Sequence, residues 1–103
     1  MKVEVVTDNE VSLVKMVGSV DDHGVRELKA DLAKHAVRES FSVMFGFGAV
    51  THICSSGIGA LLEFYTEQSA SGGVMSIEGM SQSIYDTFSR VKLDLVLDIT
   101  PPR

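Results

Sequence analysis

Two hydroxyls and the chain's single thiol stand together at Cys54-Ser55-Ser56, inside the stretch His52-Ile53-Cys54-Ser55-Ser56-Gly57-Ile58-Gly59. This stretch follows an apolar run and leads into a helical pattern, so it is placed to open a helix. Backbone N–H groups at a helix N-terminus lack intrahelical partners and carry partial positive charge. A serine there can cap the helix through its side-chain oxygen. A phosphate on that serine would be electrostatically welcome. The glycines permit close approach by another backbone, or serve packing within the fold. On local chemistry, capping and modification both stand.

Other reactive patterns are incomplete. A Gly-x-Ser-x-Gly elbow needs glycine two residues before the serine, and Ile53 or Cys54 holds that place. No Lys follows the glycines, so the loop is not a P-loop. His52 and Cys54 are two apart, but His23 and His35 are scattered and no second pair completes a tetrahedral metal set. No metal, cofactor or catalytic constellation is expected. The Cys54 thiol could be activated by a helix N-terminus, or could be a small inert residue filling space. Met16, Met44, Phe45, Phe47 and Phe64 could line a cavity, and core packing explains them equally well.

The elements that position this stretch are legible in outline. Val3 to Val6 and Val11 to Val20 read as two strands, joined by a turn at Thr7-Asp8-Asn9-Glu10. Asp21-Asp22-His23-Gly24 breaks the pattern. Val25, Leu28, Leu32 and Ala36 then fall on one helix face, with Asp21 and Asp22 at its start and Arg38 near its end, where each offsets the dipole. Phe41 to Phe47 is nearly continuous in apolar character, which fits a strand covered on both faces. The segment from Gly46 to Gly59 reads as a loop. A second helix is expected from about Gly57 to Ala70, with Ile58, Leu61, Leu62 and Tyr65 inward, ended by Ser71-Gly72-Gly73. Val74 to Ile77 is a short strand. Ser81 can cap a third helix with Ile84, Phe88 and Val91 inward. Leu93 to Ile99 is the last strand, before Pro101 and Pro102. The order β-β-α-β-α-β-α-β predicts a single α/β domain over residues 1–103, with a mixed, mainly parallel sheet and covering helices.

Composition narrows the function classes. Nine Lys+Arg against fourteen Asp+Glu give a formal net charge of -5. A nucleic-acid binder needs a basic footprint, and an anionic membrane surface attracts one. The acidic balance suits neither, and fits a protein that meets a basic patch on a partner. One cysteine cannot form an internal disulfide. The N-terminus lacks an apolar signal core, because Glu4 and Asp8 interrupt it. No run approaches the roughly 20 apolar residues of a membrane span. A cytoplasmic protein without direct membrane insertion is the expectation.

Cys54-Ser55-Ser56-Gly57-Ile58-Gly59-Ala60-Leu61 resembles the Asp-Ser-Ser-Gly-Leu-Gly-x-Leu motif of STAS domains. Gly18-Ser19-Val20-Asp21 is similar to that family's Gly-x-Leu-Asp after the second strand, and Gly72-Gly73 falls where it has Gly-Gly. The resemblance covers roughly residues 10–98 and agrees with the element order. It implies an anti-sigma factor antagonist that works by partner switching. The unphosphorylated form binds an anti-sigma factor that is also a serine kinase. Phosphorylation of Ser55, the position matching the family's acceptor, ends that binding, and a phosphatase resets it. Asp21, Asp22, His23, Cys54, Ser56, Gly57 and Ile58 are the implied partner-binding residues. A homodimer is left open. Three positions depart from the pattern. Cys54 stands where the motif has aspartate, Gly46 stands where an acidic or amide residue is usual near the end of the preceding strand, and the chain ends before the C-terminal helix many relatives carry. The first two favour an alternative: a STAS scaffold that never accepts phosphate, within a signalling complex or as an accessory subunit of a membrane transporter.

Overall fold

β1 (Lys2–Asp8) and β2 (Val11–Val20) form the expected antiparallel hairpin. Asn9 turns it with a φ of 55°, a left-handed value that Asn tolerates better than most residues. Along β2 the side chains alternate: Ser12, Val14 and Met16 are buried, while Val11 and Leu13 are exposed. The computed structural model describes residues 1–35 and 37–102, and the side chain of residue 38 is not among the described parts. Ala36, expected on the first helix's apolar face, lies outside the described residues.

α1 (Asp22–Lys34) starts where the acidic pair predicts, with Asp21 as N-cap accepting from the Gly24 N–H at 2.8 Å. Val25, Leu28 and Leu32 are buried as expected. The helix stops at Lys34, short of the expected end, and a 3-10 turn at Val37–Glu39 follows.

β3 (Ser42–Ile53) corrects the reading of Gly46 onward as a loop. The glycines do not break the strand, because the parallel ladder to β2 continues through Val17↔Ala49, Gly18↔Val50 and Val20↔Ile53. Two register shifts, one at Gly18 with a φ of 99°, absorb the irregularity. Gly46 is therefore mid-strand, although it is the last residue of β3 paired to the next strand.

α2 (Ser55–Ala70) starts two residues earlier than expected. Its buried line is Gly57, Leu61, Phe64 and Gln68, whereas Ile58, Leu62 and Tyr65 are half-buried on its flank. A count of apolar residues missed Gln68 because it is polar. Its Nε2 donates to the Ser40 carbonyl at 2.7 Å and the Phe41 carbonyl at 3.2 Å, binding the start of β3 from inside. Such bonds offset the cost of burying an amide. Gly73 makes room for this amide. A Cβ there would lie 2.5 Å from Gln68 Nε2 and 2.8 Å from the Phe41 carbonyl.

β4 (Val74–Glu78) and α3 (Gln82–Arg90) follow, with the Ser81 hydroxyl accepting from the Ile84 N–H at 3.2 Å. Ile84 and Phe88 are buried, but Val91 sits at the C-cap and is 59% exposed. The last strand, β5, is only Asp98–Ile99. The expected strand from Leu93 is instead a 3-10 turn at Leu93–Leu95, because Lys92 takes a φ of 61° and redirects the chain. A left-handed conformation costs a side-chain-bearing residue about 1–2 kcal/mol that glycine avoids. Lys92→Gly should therefore raise stability, by up to about 1 kcal/mol after glycine's extra unfolded-state freedom. A lowered denaturant midpoint at unchanged slope would contradict this.

The five strands stand in the order β1-β2-β3-β4-β5, antiparallel at β1–β2 and parallel thereafter. Val43, Phe45 and Phe47 face the helices. Phe45 meets Phe64 of α2 edge-on at 5.4 Å between ring centroids, and Phe47 meets Phe88 of α3 at 6.5 Å. The helices form one layer. The expectation of a β3 covered on both faces is corrected: Met44 and Gly46 are half-buried and Gly48 is exposed on the other side. Met16, Phe45, Phe47 and Phe64 belong to the core, which settles their reading as packing. Among the described residues, no helix is long and apolar enough to cross a membrane.

Candidate functional site

The carboxyl ends of β2 and β3 lie side by side, held by the Cys54 N–H donating to the Val20 carbonyl at 2.9 Å. Each strand then enters a helix, β2 through Asp21 and β3 through Cys54. The topology thus brings the Asp21-Asp22-His23 corner against the serine corner, two segments more than 30 residues apart in sequence.

At the serine corner the N-cap is Cys54, not Ser55 or Ser56. Its extended backbone starts the helix, and its carbonyl accepts from the Gly57 and Ile58 N–H groups at 3.0 and 3.1 Å. Its thiol makes no capping bond. The capping alternative for the serines is thereby corrected: cap geometry is fixed by backbone dihedrals, and both serines are already helical. Cys54 is half-buried, not a fully buried filler.

The two serines differ. Ser56 Oγ donates to Asp22 Oδ1 at 2.6 Å and lies 3.0 Å from Cys54 Sγ. Ser55 is exposed, and its hydroxyl makes no hydrogen bond among the described residues. It stands at the first helical position of α2, where the unpaired backbone N–H groups point outward.

Two glycines of the motif also separate. A Cβ on Gly57 would sit 2.9 Å from Ile53 Cγ1 and 3.0 Å from Val20 Cγ1, so glycine lets α2 close onto the strand ends. A Cβ on Gly59 would meet nothing within 4 Å. Gly59 is exposed one turn along from Ser55 and leaves the helix backbone bare there.

At the acidic corner, Asp21 has its carboxyl held below the usual carboxylate range. The Gly24 N–H bond is the main cause, and nearby His23 adds to it. A depressed folded-state pKa means that ionised Asp21 favours folding above its unfolded value, and that this contribution is lost as pH falls through the folded value. Asp21→Asn should therefore lose less stability on acidification than the parent does. Melting temperatures of the two proteins from about pH 5 to about pH 2 should converge; parallel curves would show the cap to be pH-insensitive. His23 Nε2 pairs with Glu27 on the same helix at 2.8 Å. His52 is exposed on β3. Among the described residues, no group of three or more His, Cys, Asp or Glu is arranged to hold a metal.

The structure thus brings Asp22, Cys54 and Ser56 into one cluster, with Asp21 and Ser55 beside it, and Ile58 half-buried behind. The Asp22–Ser56 bond was missed by sequence reading, since nothing local links the two. A groove of about 360 Å³ between α1 and α2, lined by Leu28, Leu32, Ala60, Leu61 and Phe64, is a separate feature.

The model of the STAS domain family matches residues 2–101. The chain belongs to the STAS domain family. Among solved structures, this STAS domain is similar to an anti-sigma factor antagonist from Mycobacterium paratuberculosis at a TM-score of 0.84 and 17% identity, covering 98% of this chain and 86% of that one. It is similar to the anti-sigma factor antagonist SpoIIAA in its unphosphorylated form at 0.77 and 16%, covering 99% and 90%. The phosphorylated form of the Bacillus cell fate determinant SpoIIAA gives 0.75 and 18%, covering 96% and 91%. At these identities the likeness establishes a shared α/β STAS fold.

Proposed function

We propose that this STAS domain is a cytoplasmic anti-sigma factor antagonist that works by partner switching. Its unphosphorylated form binds an anti-sigma serine kinase through the paired corners at the ends of β2 and β3. Phosphorylation of Ser55 then ends the complex, and a phosphatase restores it. The observation that carries this reading is the state of Ser55: exposed, without a hydroxyl partner among the described residues, and at the position matching the family's acceptor. Ser56, by contrast, is engaged by Asp22. A phosphate on Ser55 would add about -1.5 to -2 charges to a surface already carrying Asp21 and Asp22. Such a charge desolvates badly in a packed interface that supplies it no paired cation.

A second reading is favoured by Cys54 and Gly46, which place no polar side chain where the family has one. Here the same surface binds a partner without modification, as a scaffold or as an accessory subunit of a transporter. The two readings separate in one experiment. The protein is used as bait in an extract of its native cells, and the captured complex is supplied with ATP. A serine kinase among the captured proteins, with the mass of one phosphate appearing on Ser55, supports the switch. Stable capture of a complex that leaves Ser55 unmodified supports the scaffold.

A further inference from the structure

α1, α2 and α3 are started in different ways. α1 has the Asp21 side chain as its cap, accepting from the Gly24 N–H, and Asp22 in its first turn. α3 has the Ser81 hydroxyl as its cap. α2 has neither aid: the Cys54 side chain makes no capping bond, and no acidic residue stands in the first turn. Side-chain caps and first-turn anions each stabilise a helix start, so the helix that carries Ser55 lacks both from its own sequence. A carboxylate reaches it from α1 instead. Asp22 Oδ1 accepts from Ser56 Oγ at 2.6 Å and lies 3.9 Å from Cys54 Sγ. A hydroxyl this close to a carboxylate makes one of the stronger kinds of hydrogen bond. The two adjacent acids are therefore divided: Asp21 serves its own helix, and Asp22 serves α2.

We propose that Asp22 is a positioning residue for Ser55, supplying from α1 the carboxylate that residue 54 does not carry. This role rests on the reading of Ser55 as the phosphate acceptor. Ser56 is the link. It stands next to Ser55 in the first turn of α2, and its bond to Asp22 spans 34 residues of sequence. That bond fixes the first turn of α2 against the start of α1. With Ser56 anchored, the backbone of Ser55 is held while its side chain is left exposed. The Asp22 carboxylate also lies at the positive end of the α2 dipole, whose effect is confined to the first turn. The two serines thus divide the work, one as anchor and one as acceptor. The order of the acceptor turn depends on a contact between two helices, where α1 and α3 depend on caps of their own.

The test uses the purified protein and two measurements that need no partner. One is the NMR order parameter of the Ser55 N–H. The other is amide hydrogen exchange at Gly57 and Ile58, whose N–H groups bond to the Cys54 carbonyl in the first turn. In the parent, Ser55 should lie in the rigid range of about 0.85. Asp22→Ala should lower it and speed exchange at Gly57 and Ile58 about two- to tenfold, the population change that one hydrogen bond is worth. Ser56→Ala should act in the same direction, and the double variant should go no further than Asp22→Ala alone. Both side chains are exposed, so the fold should survive each change. Cys54→Asp should reverse the loss in the Asp22→Ala background. It should gain less in the parent, where two carboxylates would repel each other at one helix start. Ser55 as ordered in Asp22→Ala as in the parent would overturn the proposal. So would losses that add in the double variant, or a Cys54→Asp gain of equal size in both backgrounds. In the captured complex supplied with ATP, saturating Asp22→Ala should take up phosphate on Ser55 at least about twofold more slowly, and Cys54→Asp should restore the rate; the parental rate in Asp22→Ala would count against the role. If the parent itself never takes phosphate, the acceptor reading fails, and the NMR and exchange results still decide whether Asp22 orders the turn.

Discussion

Ser55→Asp is expected to weaken capture of the native partner by at least about tenfold, while Ser55→Ala binds like the parent. A charge buried in an interface without a paired cation costs several kcal/mol, and about 1.4 kcal/mol is already tenfold in affinity. The alanine variant isolates that charge cleanly. Because Cys54 is the N-cap and the Ser55 hydroxyl has no partner among the described residues, the truncation removes no capping bond. Aspartate carries one charge against a phosphate's roughly two, so the modified protein should bind more weakly than Ser55→Asp does. Titration of both variants against the captured partner measures the difference. Equal affinity for parent, Ala and Asp variants would remove Ser55 from the interface and with it the antagonist reading. Loss of binding in Ser55→Asp, with no phosphate ever found on the parent, would keep the surface and remove the switch.

Leu61→Ala should cost about 2–5 kcal/mol of unfolding free energy, the usual range for truncating a buried leucine. Leu61 is 1% exposed on the central buried line of α2. Leu62, its half-buried neighbour, provides the contrast. Leu62→Ala should cost clearly less, because most of the transfer free energy of a side chain scales with the area removed from water. Denaturant midpoints at constant slope decide the matter. Equal losses at the two positions would mean that α2 is rotated relative to the face described above.

Those two residues also show how far the sequence could be read. Periodicity found α2 and its apolar side, but it could not rank Leu61 above Leu62. The deciding contributions came from a glycine and a glutamine. Gly57 lets the helix close onto Ile53 and Val20, and Gln68 bonds the strand ends. Neither counts in an apolar pattern. Likewise, Gly46 and Gly48 read locally as loop formers, yet the ladder to β2 carried the strand to Ile53. The final strand failed for the opposite reason: left-handed Lys92, just before the apolar run from Leu93, turned the start of that run into a 3-10 turn. The serine corner was legible because its chemistry is contiguous in sequence. Its bond to Asp22 was not, because only the side-by-side ends of β2 and β3 create it.

The strand order has a consequence for the kinds of molecule this domain can recognise. In doubly wound sheets, ligands settle in the crevice that opens where successive connections depart to opposite faces. Here each parallel strand is laid down beside the last, from β2 to β5. With connections of one hand, every crossover departs to the same face. The winding never reverses, so no crevice splits the carboxyl edge above Ser55. Beside β2 and β3 that edge is a rim of helix starts and strand ends, and a hollow of about 470 Å³ between Glu78–Gln82 and Thr100–Pro102 lies further along, past β4. At the Ser55 end such a rim encloses no pocket, a geometry that suits contact with a folded protein better than with a metabolite.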